Sequence, residues 1–218
     1  MRTAIGVLAL ACTVCGAAWA TGADELQRPD IVVRFRSVLP RNSQDWNTSN
    51  GGEIQARFWR QDGFGTALSL GIDSWSARNE RTQQSDASGA SETSIFGTAK
   101  LVPIGVSLLY RNAVADRVAV VFETGLKYAF ADSGIHAEVT LTENGQVHAT
   151  RDTILTDSTV LWDIGVSIEG ELEENISLLL GLGYQTDLSS PRETFRGEDI
   201  GSTSFQAAIV RFGVRWTF

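Results

Sequence analysis

Two histidines and two Asp-Ser pairs are the residues of this chain whose types could support acyl-transfer chemistry. A histidine acting as general base needs a serine or carboxylate partner within hydrogen-bond reach. Neither His136 nor His148 stands in a His-x-Ser pattern, and no sequence feature brings either beside the Asp-Ser pairs at 73–74 and 157–158. Two histidines also fall short of the three or four ligands of a typical zinc site. We therefore expect no catalytic residue, no metal site and no cofactor.

Charged residues recur at every second position of several segments, which is the spacing that places them on one face of a strand. The set contains six basic and five acidic residues: Arg34, Arg36, Glu53, Arg57, Asp73, Glu123, Lys127, Asp163, Glu169, Arg211 and Arg215. A nearly neutral set predicts a network of ion pairs in an enclosed lumen, because buried charges persist only when they are paired and hydrogen-bonded. The alternative is a narrow channel whose charge pairs rearrange.

The elements that must position these residues are strands, since apolar and polar residues alternate in eight segments. The segments cover residues 31–36, 53–58, 64–73, 101–110, 120–130, 160–169, 176–185 and 207–218. Their apolar face contains no charged residue, and their polar face carries the charged set together with eight glycines that relieve crowding in a narrow lumen. We expect each segment to form the central part of a tilted transmembrane strand, which needs roughly 9–11 residues.

The connections between these segments alternate in length. Long connections cover about 39–50, 77–94, 131–157 and 187–202, and short ones cover 61–63, 111–116 and 170–174. Short periplasmic turns and longer external loops are typical of transmembrane barrels. The sequence therefore predicts an all-β fold, an eight-stranded antiparallel up-and-down transmembrane β-barrel.

Aromatic residues and one turn add detail to this prediction. Aromatic residues of the apolar face gather at both ends of the segments, as expected for girdles at two membrane interfaces. Residues 143–146 have the Asn-Gly centre of a two-residue hairpin, so the fifth and sixth strands are expected to continue outside the membrane as a ribbon. Trp46 and Trp75, near the outer rim, are expected either to contact a partner or to pack under their own loop.

The first twenty residues predict a signal peptide. Arg2 precedes an apolar core at 5–15, and a small-residue cleavage site follows at 18–20. This apolar run is too short for a transmembrane helix, which needs about 20 residues. The predicted domains are therefore a signal peptide at 1–20 and an outer-membrane β-barrel domain at 21–218.

Cleavage there changes the composition in two ways that exclude classes of function. It removes Cys12 and Cys15, and with them any disulfide scaffold, thiol nucleophile or thiolate metal site. It also removes Arg2, so the mature net charge is one unit more negative than the −8 of the whole chain. An acidic balance argues against nucleic acid as a partner, because phosphate binding needs clustered Lys and Arg.

The last segment places Phe212, Val214, Trp216 and Phe218 at alternating positions. This ending, together with the eight segments, resembles the small eight-stranded outer-membrane barrels of Gram-negative bacteria, of the OmpX, OmpW and OmpA-transmembrane-domain type. The resemblance is architectural and covers essentially the whole predicted mature chain. It implies an outer-membrane location, a C-terminal strand read as a membrane-insertion signal by the barrel-insertion machinery, and contact with outer-membrane lipid and lipopolysaccharide.

We expect a non-catalytic surface protein that serves membrane integrity, adhesion or interaction through its external loops, with a loop ligand that the sequence does not name. An eight-stranded interior is just wide enough for its own side chains, which favours this function. The alternative is a narrow OmpW-like channel for ions or small apolar solutes, and a lipid A-modifying enzyme is a third hypothesis. Lys100, at the outer end of a segment, is expected either to meet lipopolysaccharide phosphates or to be solvated.

Overall fold

A computed structural model describes residues 29–42, 45–86, 89–143 and 146–218. Within these ranges the chain forms the strands β1 (Asp30–Pro40), β2 (Ser49–Trp59), β3 (Phe64–Ser76), β4 (Glu80–Asp86), β5 (Gly89–Ala115), β6 (Val118–Glu143), β7 (Gln146–Thr156), β8 (Thr159–Glu173), β9 (Ile176–Asp187), β10 (Arg192–Phe195), β11 (Glu198–Ser202) and β12 (Ala207–Thr217). This part of the chain contains no helix with the length and apolarity that a transmembrane helix needs. The predicted signal peptide at 1–20 lies outside the described residues and stays a prediction.

Eight of these strands close into a barrel. Neighbouring strands follow the order β1-β2-β3-β5-β6-β8-β9-β12, and β12 pairs with β1 to complete the circle. Val33 of β1, for example, pairs with Ile54 of β2 on one side and with Val214 of β12 on the other. A closed sheet satisfies every backbone group along the wall without leaving an edge, as a membrane requires. The predicted fold class is confirmed.

The barrel wall has its apolar residues outside and its charged residues inside. Leu182 of β9 is 62% exposed, whereas Arg36 of β1 is 0% exposed. Alternation of this kind places the apolar row against lipid hydrocarbon and the polar row in the lumen. The eight predicted segments lie within the eight barrel strands, except that β12 ends at Thr217, one residue before the predicted end.

Two barrel strands continue well beyond the length that a membrane crossing requires. β5 has 27 residues and β6 has 26, against about 9–11 for a tilted transmembrane strand. Their outer halves stay paired from Lys100 and Asp132 to Ala90 and Thr142. β4 extends this pair on one side and β7, β10 and β11 extend it on the other, in the order β4-β5-β6-β7-β10-β11. We call these outer portions the external sheet.

The external sheet corrects the prediction of long loops. The expected ribbon is present, since β6 pairs with the returning β7 as far as Glu143 and Gln146, and residues 144–145 of its turn lie outside the described residues. The connections expected at 77–94 and 187–202 are wrong in part, because they contain β4, the start of β5, β10 and β11. β4 reads ERTQQSD, a polar strand with no apolar alternation to reveal it.

The opposite end of the barrel carries three short turns, but those expected at 111–116 and 170–174 are shorter than predicted, because β5 continues to Ala115 and β8 to Glu173. The three turns cover 60–63, 116–117 and 174–175. Gly63 has a φ of +85°, and an added Cβ there would lie 2.6 Å from the carbonyl oxygen of Arg111. Both the positive φ and the close approach of β5 require glycine at this turn.

Candidate functional site

The barrel lumen holds a central ion cluster contributed by six strands. Its members are Arg34, Arg36, Glu53, Asp73, Glu123, Lys127, Asp163 and Arg211. Strand alternation points all of them inward, and their four positive and four negative charges balance. A balanced cluster is what a low-dielectric interior tolerates, because an unpaired buried charge is strongly destabilising.

Arg34 lies at the centre of this cluster and ties opposite walls of the barrel together. Its guanidinium donates to Glu123 of β6 from Nη1 to Oε2 at 2.7 Å and from Nη2 to Oε1 at 2.9 Å. Nη2 also donates to Glu53 Oε1 of β2 at 2.5 Å. Because β1 and β6 face each other across the barrel, this two-point contact braces the lumen across its width.

Lys127 and Arg211 complete the pairing of the central cluster. Lys127 Nζ lies 2.8 Å from Glu53 Oε2 and 3.2 Å from Asp163 Oδ2. Arg211 donates to the carboxylate of Asp163 and lies 3.6 Å from Glu123 Oε2. Each of these carboxylates therefore meets at least two cations, so the cluster forms one connected network.

A second ion cluster lies toward the end of the barrel that carries the short turns. Arg57 Nη1 is 2.5 Å from Glu169 Oε1, and Arg215 Nη1 is 3.3 Å from Glu169 Oε2 and 3.5 Å from Asp30 Oδ2. Trp59 donates its indole N–H to Asp30 Oδ2 at 2.7 Å. With Asp30 included, the buried charged side chains of the described residues are six basic and six acidic.

Gln55 connects the two clusters. Its amide nitrogen donates to Glu53 Oε1 at 2.9 Å and to Glu123 Oε1 at 2.8 Å, and its amide oxygen accepts from Arg57 Nε at 3.0 Å. Sequence reasoning missed Gln55 because it is uncharged, although its inward position was evident. It missed Asp30 because that residue precedes the first predicted segment.

Arg36 and Asp73 mark the outer boundary of the central cluster. Arg36 Nη1 lies 3.2 Å from Asp73 Oδ2, and Nη2 donates to Gln185 Oε1 at 2.8 Å. Gln185 in turn donates to the backbone carbonyl of Phe205 at 2.9 Å. This chain of contacts joins the ion pairs to the apolar residues above them.

An apolar cap covers the ion clusters at the outer end of the barrel. Trp46, Trp75 and Phe205 pack together with ring centroids 5.1–5.7 Å apart. Leu101 and Ile135 pack in the same buried cluster, among residues of the barrel strands and the external sheet. Of the two expectations for Trp46 and Trp75, the structure therefore shows packing inside the molecule.

The lumen is filled by side chains in successive layers. All eight members of the central cluster are at most 5% exposed, whereas a water-filled pore would leave them accessible. Toward the end with the short turns, a smaller apolar cluster is formed by Trp59, Ala67, Leu109 and Val121. An interior of this kind supports the predicted filled lumen over an open channel.

Glycines on the inward face provide room for the largest charged side chains. An added Cβ at Gly183 would lie 2.9 Å from both Cζ and Nη2 of Arg211, and one at Gly165 would overlap Arg211 Nη1. Distances below 3.0 Å force a displacement, so these glycines let Arg211 lie flat against β8 and β9 beside its carboxylate partners.

The C-terminal strand places its alternating apolar side chains on the lipid-facing surface. Phe212, Trp216 and Phe218 are exposed there, and Val214 is partly covered. β12 pairs with β1 and β9 along its length. The role of these four residues as a membrane-insertion signal stays a prediction.

The histidines lie in the external sheet, away from the barrel lumen. His136 packs against Phe96 with ring centroids 6.0 Å apart, and its Nδ1 lies 3.2 Å from Thr153 Oγ1. Arg151 stacks over the same Phe96 ring at 4.7 Å. Among the residues that the structure describes, no group of three or more His, Cys, Asp or Glu side chains forms a metal-binding arrangement.

Two external carboxyl groups have shifted pKa values. Hydrogen bonds from Arg81 and Gln83 lower the pKa of Glu92, whose Oε1 lies 2.6 Å from Arg81 Nε. Burial raises the pKa of Glu193, and the nearby charge of Asp45 raises it further. The external sheet thus contains both a solvent-exposed carboxylate in an ion pair, Glu92, and a partly buried carboxyl group, Glu193.

Replacing Glu123 with alanine leaves the central cluster with one unbalanced positive charge. We expect Glu123→Ala to lower the free energy of unfolding of the refolded barrel by about 3–5 kcal/mol, as for other broken buried ion pairs. Urea unfolding in detergent micelles measures this change. Glu92→Ala is the matched control, because its ion pair lies in solvent and its loss should leave the transition almost unmoved. An unchanged midpoint for Glu123→Ala would contradict a stabilising role of the cluster.

Replacing Gly183 with valine should displace Arg211 from its partners. Overpacking of a filled interior costs about 1–3 kcal/mol, so we expect Gly183→Val to unfold at lower urea concentration than the wild type. Gly170→Val is the control, because nothing lies within 4 Å of an added Cβ at Gly170. Equal midpoints for the two variants would show that Arg211 does not need this space.

The filled lumen predicts electrical silence. Folded wild-type protein, verified by its gel mobility without heating, should give no reproducible conductance steps in planar bilayers, because ions would have to cross both the apolar cap and the ion clusters. Reproducible steps that change in Arg211→Gln would support the channel alternative instead.

Comparison with solved structures identifies proteins of similar fold. The chain is similar to Neisserial surface protein A, with a TM-score of 0.55 and 12% sequence identity over 89% of this chain and 100% of that one. It is also similar to the outer membrane protein OprG from Pseudomonas aeruginosa, with a TM-score of 0.54 and 10% identity over 89% of this chain and 97% of that one. No protein-family model and no curated protein matches the sequence. The fold of this chain is that of the small eight-stranded outer-membrane β-barrels, as its sequence resemblance implied.

Proposed function

We propose that this chain is a non-catalytic outer-membrane surface protein in which a sealed barrel anchors an external binding sheet. The observation that carries this proposal is the contrast between the two parts of the molecule. The lumen of the barrel is occupied by its own side chains, whereas the six-stranded external sheet offers an extended and ordered surface. Adhesion or another surface interaction therefore belongs to the external sheet.

The outer surface of the barrel supports a membrane location. Its outward rows are apolar and uncharged, which matters because a Lys or Arg at the bilayer midplane costs about 2–4 kcal/mol. Aromatic side chains lie outward near both ends, with Phe64 and Tyr110 at one end and Phe130 and Trp162 at the other. Export by the predicted signal peptide at 1–20 would deliver the chain to the periplasm.

The external sheet has features of an interaction surface. Within the described residues, β4 and β11 each pair with one neighbour only, so the sheet has two open edges. Val147, near its outer end, is 64% exposed, and Ile200 of β11, near its base, is 50% exposed. Open edges and exposed apolar side chains are where protein partners and extended peptides bind.

Three further contacts belong to the same proposal. Lys100 is exposed at the base of the external sheet, opposite Asp132 of β6, where its ammonium would meet phosphate groups of lipopolysaccharide. The lipid-facing rows would contact outer-membrane lipid. The barrel-insertion machinery would read Phe212, Val214, Trp216 and Phe218 of β12.

Cysteine labelling tests the location and orientation. We expect Val147→Cys to react with a membrane-impermeant maleimide on intact cells, because the external sheet faces the medium. Asn175→Cys, in the turn between β8 and β9, should react only after the outer membrane is permeabilised. The unsubstituted chain serves as the background control. Labelling of Asn175→Cys alone on intact cells would reverse the proposed orientation.

Shortening the external sheet tests the proposed function. Replacing residues 136–153 with Asn-Gly keeps the pair Ile135 and Ile154 in register and closes the ribbon with a two-residue turn. Cells displaying this variant should lose attachment to protein-coated or polysaccharide-coated surfaces that wild-type cells retain, at equal amounts of folded barrel. Equal attachment of wild-type, shortened and barrel-free cells on every surface would overturn the proposal.

A further inference from the structure

The lipid-facing surface carries a groove toward the periplasmic end of the barrel. Its volume is about 590 Å³, within the range of about 300–1,000 Å³ that is typical of small-molecule sites. Phe64, Tyr110 and Phe122 form one wall, with ring centroids 4.9 Å apart for the first two and 6.5 Å apart for the last two. The groove is therefore a shaped apolar recess in a surface that elsewhere projects large side chains.

The recess arises because two short side chains interrupt rows of long ones. Thr66 follows Phe64 on the outward face of β3, and Thr124 follows Phe122 on the outward face of β6. Leu108 of β5 pairs with both threonines. The floor of the groove thus crosses three neighbouring strands beneath the aromatic wall. Glu123 also lines the groove, and its carboxylate is bound by Arg34 in the lumen.

Arg60 supplies a cation at the periplasmic end of the groove. Its backbone N–H donates to the carbonyl oxygen of Phe64 at 2.8 Å, which holds the turn at 60–63 against the aromatic wall. Its guanidinium lies 3.4 Å from Asp62, and both side chains are nearly half exposed. Exposed ion pairs of this kind contribute little stability, so an external anion can share the guanidinium.

Arg60 also lines a second cavity, which lies at the periplasmic mouth of the barrel. This cavity has a volume of about 410 Å³, and Arg111 and Arg117 line it together with Asp116 and Glu171. A ligand at Arg60 therefore has an apolar groove on its membrane side and a polar cavity on its periplasmic side. That division matches a molecule with an acyl chain and a charged headgroup.

We propose that the groove and Arg60 form one binding site for a glycerophospholipid of the inner leaflet. One acyl chain lies over Thr66 and Thr124 against the aromatic wall, and the phosphate accepts hydrogen bonds from the Arg60 guanidinium, whose planar fork suits phosphate oxygens. The glycerol and headgroup face the periplasmic cavity. The site rests on the membrane placement given under the proposed function and does not depend on the role of the external sheet.

Native mass spectrometry of the full barrel in detergent tests this site, with dipalmitoyl phosphatidylglycerol and dipalmitoylglycerol as the two probes. Filling the groove in Thr124→Phe, or in Thr66→Leu if the first variant folds poorly, should lower retention of both probes about tenfold. Arg60→Gln should lower retention of phosphatidylglycerol about tenfold, as expected for one lost charge-assisted hydrogen bond. It should leave retention of dipalmitoylglycerol unchanged, because that probe has no phosphate.

Two substitutions remote from the groove serve as matched controls. Val210→Phe adds the same bulk to the lipid-facing surface of β12, and Arg41→Gln removes a guanidinium near the outer end of the barrel. Both should retain the probes as the wild type does. Wild-type retention in the groove-filling variants, or an equal loss in the controls, would show unspecific boundary lipid and overturn the site. The two proposals can fail separately. Lost attachment tests the external sheet, and lost lipid retention tests the groove, so either result can occur without the other.

Discussion

The structure depends on the requirement that charges inside a small barrel must cancel. A wall that faces lipid on one side has to place its polar residues on the other, and an eight-stranded barrel leaves those residues little contact with water. The described residues meet this requirement with six basic and six acidic buried side chains. Arg34 and Glu123 join opposite walls, so charge balance and mechanical bracing come from the same contacts.

Neutral side chains decide how the charges are arranged. Gln55 forms hydrogen bonds to members of both ion clusters. Gln185 accepts a hydrogen bond from Arg36 and donates one to the backbone of Phe205 in the apolar cap. Glycines at 165 and 183 admit Arg211. A buried guanidinium has five N–H donors, and such neutral partners satisfy donors that carboxylates alone do not reach. The filled lumen is thus a polar core with the packing constraints of an ordinary apolar one.

Because the lumen is filled, the surfaces that other molecules can reach are the two ends of the barrel and its outer wall. At the outer end, β5 and β6 stay paired beyond the membrane and carry four further strands, which makes a broad hydrogen-bonded sheet instead of separate loops. At the end with the short turns, Arg60 lies between a lipid-facing groove and a polar cavity. The fold therefore separates an anchoring region from the surfaces that meet other molecules.

The amino-acid pattern is enough to define the barrel, the number of its barrel strands and the side of the wall on which each charged residue lies. These properties follow from the alternation of apolar and polar residues along each strand. That alternation has a period of two, and it does not depend on which strands are paired. Eleven of the twelve buried charges could be named in this way, and Asp30 was missed only because it lies at a strand end. Which charges form pairs depends on the closed fold, because the partner of Arg34 is 89 residues away on the opposite wall. The fold also explains why a polar segment such as β4 is a strand. It pairs with the free edge of β5, and this pairing requires no alternation of apolar residues in the sequence.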